Sequence, residues 1–585
     1  MSPRRTVPAL VVALLSALLA AGCGMPTEGP VVTTESDGGE SGAAGVRSDA
    51  RPPPPGASAA DIATGFLDAM TAFPVNVTVA EEYLSSDARG EWSPDNATIT
   101  YAETSQPQAV LREGETEVAL RLSDAQTLDA RGSYVGRLGR LGERLRLPMV
   151  REGGEWRIAQ APDALIVPAT WFEQYFRQVA LYFFDPTSQI LVPQPVFVPE
   201  GEQLASTLVN ALLAGPGPSL RQVVTTALPE GLQLALSVPI SDDGVADVQL
   251  DGFSGQLTPE ASELIVAQLA WTLRQEPTIT ALRVSIGGEP LVLSDGVSLF
   301  PVNDQGAEYD PTVLGASSLL YGLRDGMLVS GPPDTLAPVS GPLGKSDHDV
   351  RSVAVNLPAT RAASVSSDGT TISLSSVRGQ DGSVQPVASE AEDFLRPAWD
   401  FSDRLWMVDA RASGARVSYL SDDGPVPVRV PGVTGEDVTR FLVSRDSTRL
   451  VAVIQGRNDR LVASRIRHDR TGHVLGATVA RPLSVVGDPQ LRVRDLGWAT
   501  PTAVVVLSRV GTALWQVRPA SVDGAPSAFD STLTTLTGNV LGLAASPAPS
   551  QNLFAVTPHT LIDFTAGGAV GIDVDAGVDS LDYAG

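Results

Sequence analysis

The chain has few of the residues that disulfide-bonded, metal-binding or nucleic-acid-binding proteins need. Its 585 residues include one cysteine, four histidines and one lysine, and the net charge is −26. A single cysteine cannot form an intramolecular disulfide or a cysteine zinc site. A surface of this charge repels phosphate backbones, so we expect no nucleic-acid partner. Hydrophobic residues make up 43 % of the chain, which is enough to build several buried cores.

The single cysteine lies at the end of an N-terminal export signal. Arginines at positions 4 and 5 precede an apolar run over 7–21, which is shorter than the roughly 20 residues that span a bilayer. The run ends in the sequence LAAGC at 19–23, which resembles a bacterial lipobox. The resemblance implies that residues 1–22 are a signal peptide. It also implies that Cys23 takes a lipid thioether and palmitate and becomes the mature N-terminus.

A low-complexity segment follows the lipobox. Residues 23–57 are rich in Gly, Ser, Thr, Glu and Pro and include four consecutive prolines at 52–55. They have too little apolar area to offset chain entropy, so we predict a disordered tether. Fully extended, some 34 residues span roughly 110 Å. We therefore expect a folded body that stands off the extracytoplasmic face of the cell membrane, held by the lipid anchor at Cys23.

Residues 58–165 are predicted to form an α+β domain. Ser58 and Asp61 are placed to form a capping box, and apolar residues follow them at helical spacing. Alternating patterns from 117 onward then predict antiparallel strands, with a hairpin that turns at Gly153 and Gly154. An NTF2-like domain has the same order, with helices followed by a curved antiparallel sheet.

An arginine-rich segment lies between these strands and is the one cationic cluster that we find in the mature sequence. It contains Arg131, Arg137, Arg140, Arg144 and Arg146. It is either a contact patch for an acidic partner or lipid headgroup, or a solvated hairpin. We prefer the solvated hairpin, because the glycines in the segment lack the strand-loop-helix context of a phosphate-binding loop.

Residues 166–300 are predicted to form a ββαββαβ unit. An aromatic stripe comes first, at Trp171, Phe172, Tyr175 and Phe176, and we interpret it as packing between domains more readily than as a binding surface. The predicted strands are 179–184, 191–197, 232–238, 245–250 and 279–286, and the predicted helices are 203–213 and 259–275. The segments LYFFD (181–185), LLAGP (212–216), AWTL (270–273) and VSIGG (284–288) resemble the GerMN domain of envelope lipoproteins. That resemblance brings no established enzymatic residues.

Residues 316–585 are predicted to form a β-propeller. Paired strand patterns recur every 40 to 50 residues or so, which suits roughly six four-stranded blades. Sheet edges stay exposed unless the ring closes, so we expect the last blade to recruit a strand from the start of the region. Tryptophans 399, 406, 498 and 515 either line a ligand tunnel or pack between blades. We prefer packing.

The sequence offers little chemistry for catalysis. His468 and His473 flank a turn, so we expect a surface hairpin and no metal site. The acidic run Asp573, Asp575 and Asp579 is interpreted as a C-terminal turn, because Gly577 replaces a ligand that a calcium loop needs. We therefore expect no cofactor, no metal, no catalytic residues and no enzyme activity.

The order of the parts is itself informative. A lipobox, a tether, a small α+β domain, a GerMN domain and a propeller resemble the LpqB-type actinobacterial lipoproteins, and the PAWD and RLW segments at 397–400 and 404–406 add to the likeness. The resemblance implies a non-enzymatic accessory protein that contacts the extracytoplasmic domain of a sensor histidine kinase. The kinase would belong to an MtrA/MtrB-type two-component system, which acts in cell-envelope homeostasis and division. Cys23 is the only functional residue implied.

Two other functions remain open at this point. The first is a lipoprotein that binds cell-wall carbohydrate or peptidoglycan, with or without hydrolase activity, which predicts sedimentation with purified wall. The second is a scaffold for envelope assembly, which predicts other co-purifying proteins.

Overall fold

The structure is a computed structural model that describes residues 50–112, 115–201, 203–313, 315–379, 382–485, 490–526, 534–564, 570–574 and 577–585. The predicted signal peptide, Cys23, most of the tether and Asp575 lie outside these residues. Among the helices of the described part, none combines the length and apolarity that crossing a membrane requires. The described chain is mostly strand with few helices, in three successive regions.

The N-terminal region packs helices against two sheets. Its helices are α1 (Ala59–Ala69), α2 (Thr78–Glu81) and α3 (Ser86–Glu91). Its strands are β1 (Ala97–Tyr101), β2 (Glu103–Thr104), β3 (Gln108–Arg112), β4 (Glu115–Ser123), β5 (Gln126–Asp129), β6 (Tyr134–Arg137), β7 (Arg144–Glu152), β8 (Glu155–Ile158) and β9 (Leu165–Pro168). One sheet has the order β6-β5-β1-β9, and the other has β2-β4-β7-β8 with β3 on β4. The predicted capping box of α1 at Ser58 and the predicted β7–β8 hairpin are both confirmed.

The second region packs helices against two small sheets, one of two strands and one of five. Its elements are α4 (Ala169–Tyr175), β10 (Phe176–Phe184), β11 (Leu191–Pro199), α5 (Leu204–Leu213), β12 (Gln233–Leu234), β13 (Val245–Asp251), α6 (Pro259–Leu273), β14 (Ala281–Ile286), β15 (Glu289–Pro290) and β16 (Phe300–Pro301). The predicted strand 232–238 is wrong in length. Leu236 is 94 % exposed, and the Val238 N–H donates to Ser206 Oγ of α5 at 2.9 Å instead of to a neighbouring strand.

The third region is built from six sheets in the described residues, numbered blades 1 to 6; five have four strands and blade 4 has a short fifth strand. Blade 1 holds β17 (Leu320–Arg324), β18 (Met327–Gly331) and β19 (Ala337–Pro338). Blade 2 holds β20 (Val350–Val355), β21 (Arg361–Ser366), β22 (Ile372–Ser376) and β23 (Gln385–Ala388). Blade 3 holds β24 (Ala398–Trp399), β25 (Leu405–Asp409), β26 (Arg416–Ser421) and β27 (Gly424–Val428).

The remaining blades follow the same order along the chain. Blade 4 holds β28 (Val438–Val443), β29 (Arg449–Ile454), β30 (Arg460–His468), β31 (Val474–Ala477) and the short β32 (Arg481–Pro482) on β30. Blade 5 holds β33 (Val493–Thr500), β34 (Ala503–Arg509), β35 (Leu514–Ser521) and β36 (Thr534–Thr537). Blade 6 holds β37 (Gly542–Ala544), β38 (Phe554–Val556), β39 (Thr560–Asp563) and β40 (Val570–Asp573). The last strand is β41 (Val578–Tyr583).

The ring of blades is closed by the C-terminal strand. Strand β41 pairs with β17 and becomes the innermost strand of blade 1. The first strands of the blades (β41, β20, β24, β28, β33 and β37) then contact one another in a closed ring around a central channel. Closure and about six blades were predicted, but the predicted assignment of strands was wrong. Blade 6 already has four strands of its own, so β41 completes the first blade and no early strand joins the last.

The predicted aromatic stripe joins the first two regions. Phe172 lies 5.4 Å from Phe197 of β11 between ring centroids, and Tyr175 stacks on Phe73 at 4.1 Å. The indole N–H of Trp171 donates to the Thr71 carbonyl at 2.8 Å. Packing between domains is therefore confirmed for the stripe.

The arginine-rich segment of the first region has two roles. Arg131 donates to the Ala214 and Gly215 carbonyls at 3.1 and 3.2 Å, at the end of α5. Arg137, Arg140 and Arg144 are exposed. The predicted solvent exposure is therefore confirmed from 137 onward, but the predicted hairpin is wrong there, because β6 pairs with β5 and β7 pairs with β4 in another sheet. Arg131 is a contact between domains.

Candidate functional site

One end of the propeller channel is covered by the linker that follows the GerMN-like region. Arg445, in the loop after β28, donates to the Thr312 carbonyl of that linker at 2.6 Å. The same guanidinium donates to Ser546 Oγ and to the Ala584 carbonyl, both at 3.0 Å. Its residue is 4 % exposed, and burial lowers the pKa of Arg445 to about 10. Arg445 thus ties the linker, blade 6 and the last strand together.

Two more arginines join the propeller to the β10–β11 hairpin. Arg449 is 1 % exposed, pairs with Asp446 at 3.0 Å and donates to the Pro193 carbonyl. Arg465 donates to Gln194 Oε1 at 2.7 Å, and burial lowers the pKa of Arg465 to about 9. A buried guanidinium group is costly unless hydrogen-bond acceptors replace the water that it loses, and here the hairpin as well as the propeller supplies acceptors. The interface between these regions is therefore specific.

A serine, a histidine and an aspartate meet at the same interface, but they are not arranged as a catalytic triad. The Ser447 hydroxyl donates to Asp400 Oδ2 at 2.8 Å, and its oxygen lies 3.2 Å from His468 Nε2. A nucleophilic serine must instead donate to the histidine and face substrate. Ser447 and Asp400 are 2 % and 1 % exposed, so this cluster is structural.

His468 is buried, which corrects the predicted surface hairpin. It is 6 % exposed, and its Nε2 lies 3.3 Å from Arg404 Nη1. Burial and the nearby Arg404 guanidinium lower the pKa of His468 to about 4, so the ring is neutral at pH 7. His473 is exposed as predicted. Within the described residues, no group of three or more His, Cys, Asp or Glu side chains is placed to hold a metal ion.

The tryptophans of the propeller mostly pack between blades, as predicted. Trp399 of blade 3 donates to the Ala354 carbonyl of blade 2 at 3.1 Å. Trp498 of blade 5 donates to the Val443 carbonyl of blade 4, also at 3.1 Å. Trp515 is 8 % exposed and lines a surface groove with one edge.

The other end of the channel contains a cavity of about 460 Å³. Its walls are the beginnings of the innermost strands, and this end is called the channel mouth here. The cavity extends down to Gly585, where a Cβ added to the glycine would lie 3.5 Å from Arg445 Nε. Strand β28 runs from one end of the channel to the other. Thr439, near the start of β28, lines the cavity, whereas Arg445, just after its end, lies at the covered end, so the mouth is at the opposite end of the channel.

Irregular pairing at the mouth positions several side chains. The register of three innermost strands shifts between Val350 and Ser352, between Val438 and Arg440, and between Val493 and Asp495. Such β-bulges turn the extra residue and its neighbours away from the regular pleat, and they are common beside binding sites. Arg351, Thr439 and Arg494 are the extra residues here, and all three line the cavity.

The charges at the mouth are both positive and negative. Arg396 pairs with Asp582 at 2.9 Å and donates to the Val353 carbonyl at 2.9 Å. Arg351 pairs with Asp393, and both are partly exposed. Burial raises the pKa of Asp582, although its carboxyl accepts backbone N–H groups at 2.8 and 2.9 Å.

A groove continues from the mouth between blades 4 and 5 and then along blade 5 to its connection with blade 6. Two cavities of about 630 and 290 Å³ share Arg492 and Arg494, and they extend to Arg509 and Arg440. These four residues, Arg440, Arg492, Arg494 and Arg509, are called the arginine groove. The groove was not predicted from the sequence, because Arg440 and Arg509 come from other turns than the neighbouring Arg492 and Arg494. A comparison of blades would have shown that Arg351, Arg440 and Arg494 each stand near the start of an innermost strand.

Three family models match the chain in the order of its regions. They are described as Lipoprotein LpqB, N-terminal domain (residues 52–173), Sporulation and spore germination (180–292), and Lipoprotein LpqB beta-propeller domain (326–552). The chain is 27 % identical to Lipoprotein LpqB of Streptomyces coelicolor, over 96 % of both chains. It is 28 % identical to Lipoprotein LpqB of Thermobifida fusca, over 89 % of this chain and 90 % of the relative. The chain belongs to the LpqB lipoprotein family.

Family membership agrees with the expectations drawn from the sequence. The predicted family and the predicted class of α+β regions followed by a β-propeller are confirmed. Among solved structures, the first GerMN domain of the sporulation protein GerM from Bacillus subtilis is similar to part of the chain. It is 24 % identical, covers 22 % of this chain and 99 % of that chain, and has a TM-score of 0.19.

Proposed function

We propose that this LpqB-family lipoprotein is an accessory protein that binds and modulates a sensor histidine kinase of the MtrA/MtrB type. It acts on the extracytoplasmic side of the cell membrane, in cell-envelope homeostasis and division, and is anchored by lipid on Cys23. The role is non-enzymatic. Family membership supports the lipoprotein part of the proposal, and the geometry of the propeller supports the part concerned with binding.

The open channel mouth is the observation that carries this proposal. One end of the channel is covered through Arg445, Arg449 and Arg465, whereas the mouth and the arginine groove are open to solvent. A protein that works by contact needs such a surface on a rigid support. A lipid tether raises the effective concentration of the surface for a membrane partner, so that weak contacts suffice.

Binding to the kinase can be tested with the full lipidated chain and the full kinase in the same lipid vesicles. Photocrosslinking residues placed at Asn539 in the groove and, as a control, at Arg89 in the first region would report which surface is close to the kinase. We expect crosslinks from position 539 into the extracytoplasmic domain of the kinase. Deletion of the lipoprotein should also change phosphorylation of the response regulator.

Two results would contradict the proposal. One is the absence of crosslinks to the kinase from either position together with unchanged phosphorylation after deletion. The other is sedimentation of the chain with purified cell wall at a saturable stoichiometry without any kinase contact, which would favour wall binding.

A further inference from the structure

We propose that the arginine groove and the channel mouth bind an acidic peptide segment of a partner protein, whose carboxylates lie on Arg494 and Arg509. The inference goes beyond the kinase proposal, because it names the chemistry of the bound segment and not the protein that carries it.

The charge of the groove is opposite to that of the molecule. The chain carries −26, yet four arginines line the two adjoining cavities of the groove. Two carboxylates lie among them: Asp459 pairs with Arg492 at 3.1 Å and Asp495 lies 3.7 Å from Arg440, so Arg494 and Arg509 carry the uncompensated positive charge. Both carboxylates also accept backbone N–H groups. Asp459 accepts from the Val493 N–H at 2.9 Å, and Asp495 accepts from the Leu543 N–H at 2.8 Å. A concentration of positive charge on an acidic protein attracts an anionic ligand to that place.

Two of these arginines have donors to spare. Arg494 donates from Nε to the Leu541 carbonyl at 3.2 Å. Arg509 donates to the Gly511 and Thr512 carbonyls at 2.9 and 2.8 Å. Within the described residues neither is paired with a carboxylate, and both are exposed. A guanidinium has five N–H donors, and its planar fork matches a carboxylate through two parallel hydrogen bonds.

The groove is ordered before a ligand arrives. Arg509 is fixed by its two carbonyl acceptors and lies 5.8 Å from the centroid of the Trp515 ring. Arg492 is held by the Gly456 carbonyl at 2.8 Å and by Asp459 at 3.1 Å. Long side chains that are already fixed lose less entropy when they bind, so more of the interaction energy remains for affinity.

The negative groups of the mouth favour a peptide over a uniform polyanion. Asp579 is exposed at its rim and repels a ligand that carries charge along its whole length, whereas Asp393 is already paired with Arg351. Apolar side chains, including Leu395, Val556 and Leu581, alternate with these charges along the cavity wall. A peptide that carries carboxylates at one end and aliphatic side chains at the other matches both parts.

The test uses the full chain in detergent and a fluorescein-labelled six-residue peptide, three aspartates followed by three leucines, in a fluorescence anisotropy titration. The comparison ligands are the same peptide with asparagine for aspartate and inorganic polyphosphate. The groove variant is Arg494→Ala/Arg509→Ala. The matched control is Arg137→Ala/Arg140→Ala, which removes the same charge from exposed positions of the first region. Thermal unfolding would show that both variants remain folded.

We expect the acidic peptide to bind about tenfold or more tightly than the asparagine peptide, and the groove variant to lose about tenfold or more in affinity. The control variant should stay within about twofold of the parent. Three results would overturn the inference: no saturable peptide binding, equal losses in both variants, or preference for polyphosphate over the peptide. A groove variant that loses the peptide but still crosslinks to the kinase would leave this inference intact and separate it from the kinase proposal.

Discussion

Removal of the Arg445 side chain should loosen the contact between the linker and the propeller. In Arg445→Met the side-chain volume is kept, but the Thr312 carbonyl, Ser546 Oγ and the Ala584 carbonyl lose their donor. A buried acceptor left without a partner costs about 1–3 kcal/mol, while removal of a buried charge recovers part of that loss. Since the Ser546 hydroxyl can rotate toward another partner, we expect the free energy of unfolding to fall by about 3 kcal/mol.

The assay combines two measurements on the full chain. Urea unfolding gives the stability, and limited proteolysis of the linker around Thr312 reports local opening. Arg445→Lys keeps the charge without the planar fork and should lose roughly half as much stability. Arg416→Met, at an exposed position of β26, should change stability by less than about 0.5 kcal/mol. The reasoning is refuted if Arg445→Met behaves like Arg416→Met and the linker is cut no faster.

Four further outcomes are expected. Burial and Arg404 lower the pKa of His468 from 6.5 in the unfolded chain to about 4 in the folded chain, so between these pH values protonation favours the unfolded chain. The free energy of unfolding should therefore fall as the pH drops through this range, by up to about 3 kcal/mol. Urea titrations of His468→Gln should show a shallower loss over the same range. Gly322→Val should cost about 1–3 kcal/mol, measured by thermal unfolding, because its Cβ would lie 2.9 Å from Leu581 where the ring closes. Phe172→Ala should cost about 3–5 kcal/mol in the same assay, because the ring is buried between the first two regions. Cys23→Ser should move the chain from the membrane pellet to the soluble fraction, and a variant that stays in the pellet would contradict lipid anchoring at this residue.

Local features were predictable because neighbouring residues determine them. The capping box at Ser58 needs only a hydroxyl and a carboxylate three residues apart. The helix predicted to begin at 259 does begin at Pro259, where a missing N–H costs nothing, and Thr258 is its N-cap. The aromatic stripe at 171–176 was assigned to packing from its helical spacing, and its rings do contact Phe73 and Phe197.

The errors arose where distant parts of the chain compete. The strand predicted at 232–238 stops after Leu234, because Ser206 of α5 accepts the Val238 N–H. His468 flanks a polar turn that is typical of a surface, but the Gln222 carbonyl of the GerMN-like region accepts the His468 backbone N–H at 3.2 Å. Strand alternation shows which face of a strand is buried, but it does not show that another domain covers its end.

The arginine groove shows why a binding surface on a propeller is difficult to find from sequence. A helix collects functional side chains at short spacing, whereas a propeller collects one or two from each blade, about 40 to 50 residues apart. Arg440 comes from blade 4 and the other three groove arginines from separate turns and strands of blade 5, so they become a site only after the two blades fold and pack side by side. The cationic segment at 131–146 was conspicuous in the sequence, yet of its arginines Arg146 lies 3.8 Å from Glu117 and Arg131 is used between domains. Local charge density thus indicated a surface whose arginines are partly neutralised. Equivalent positions across the blades are the better guide, because ring closure brings them to the same end of the channel.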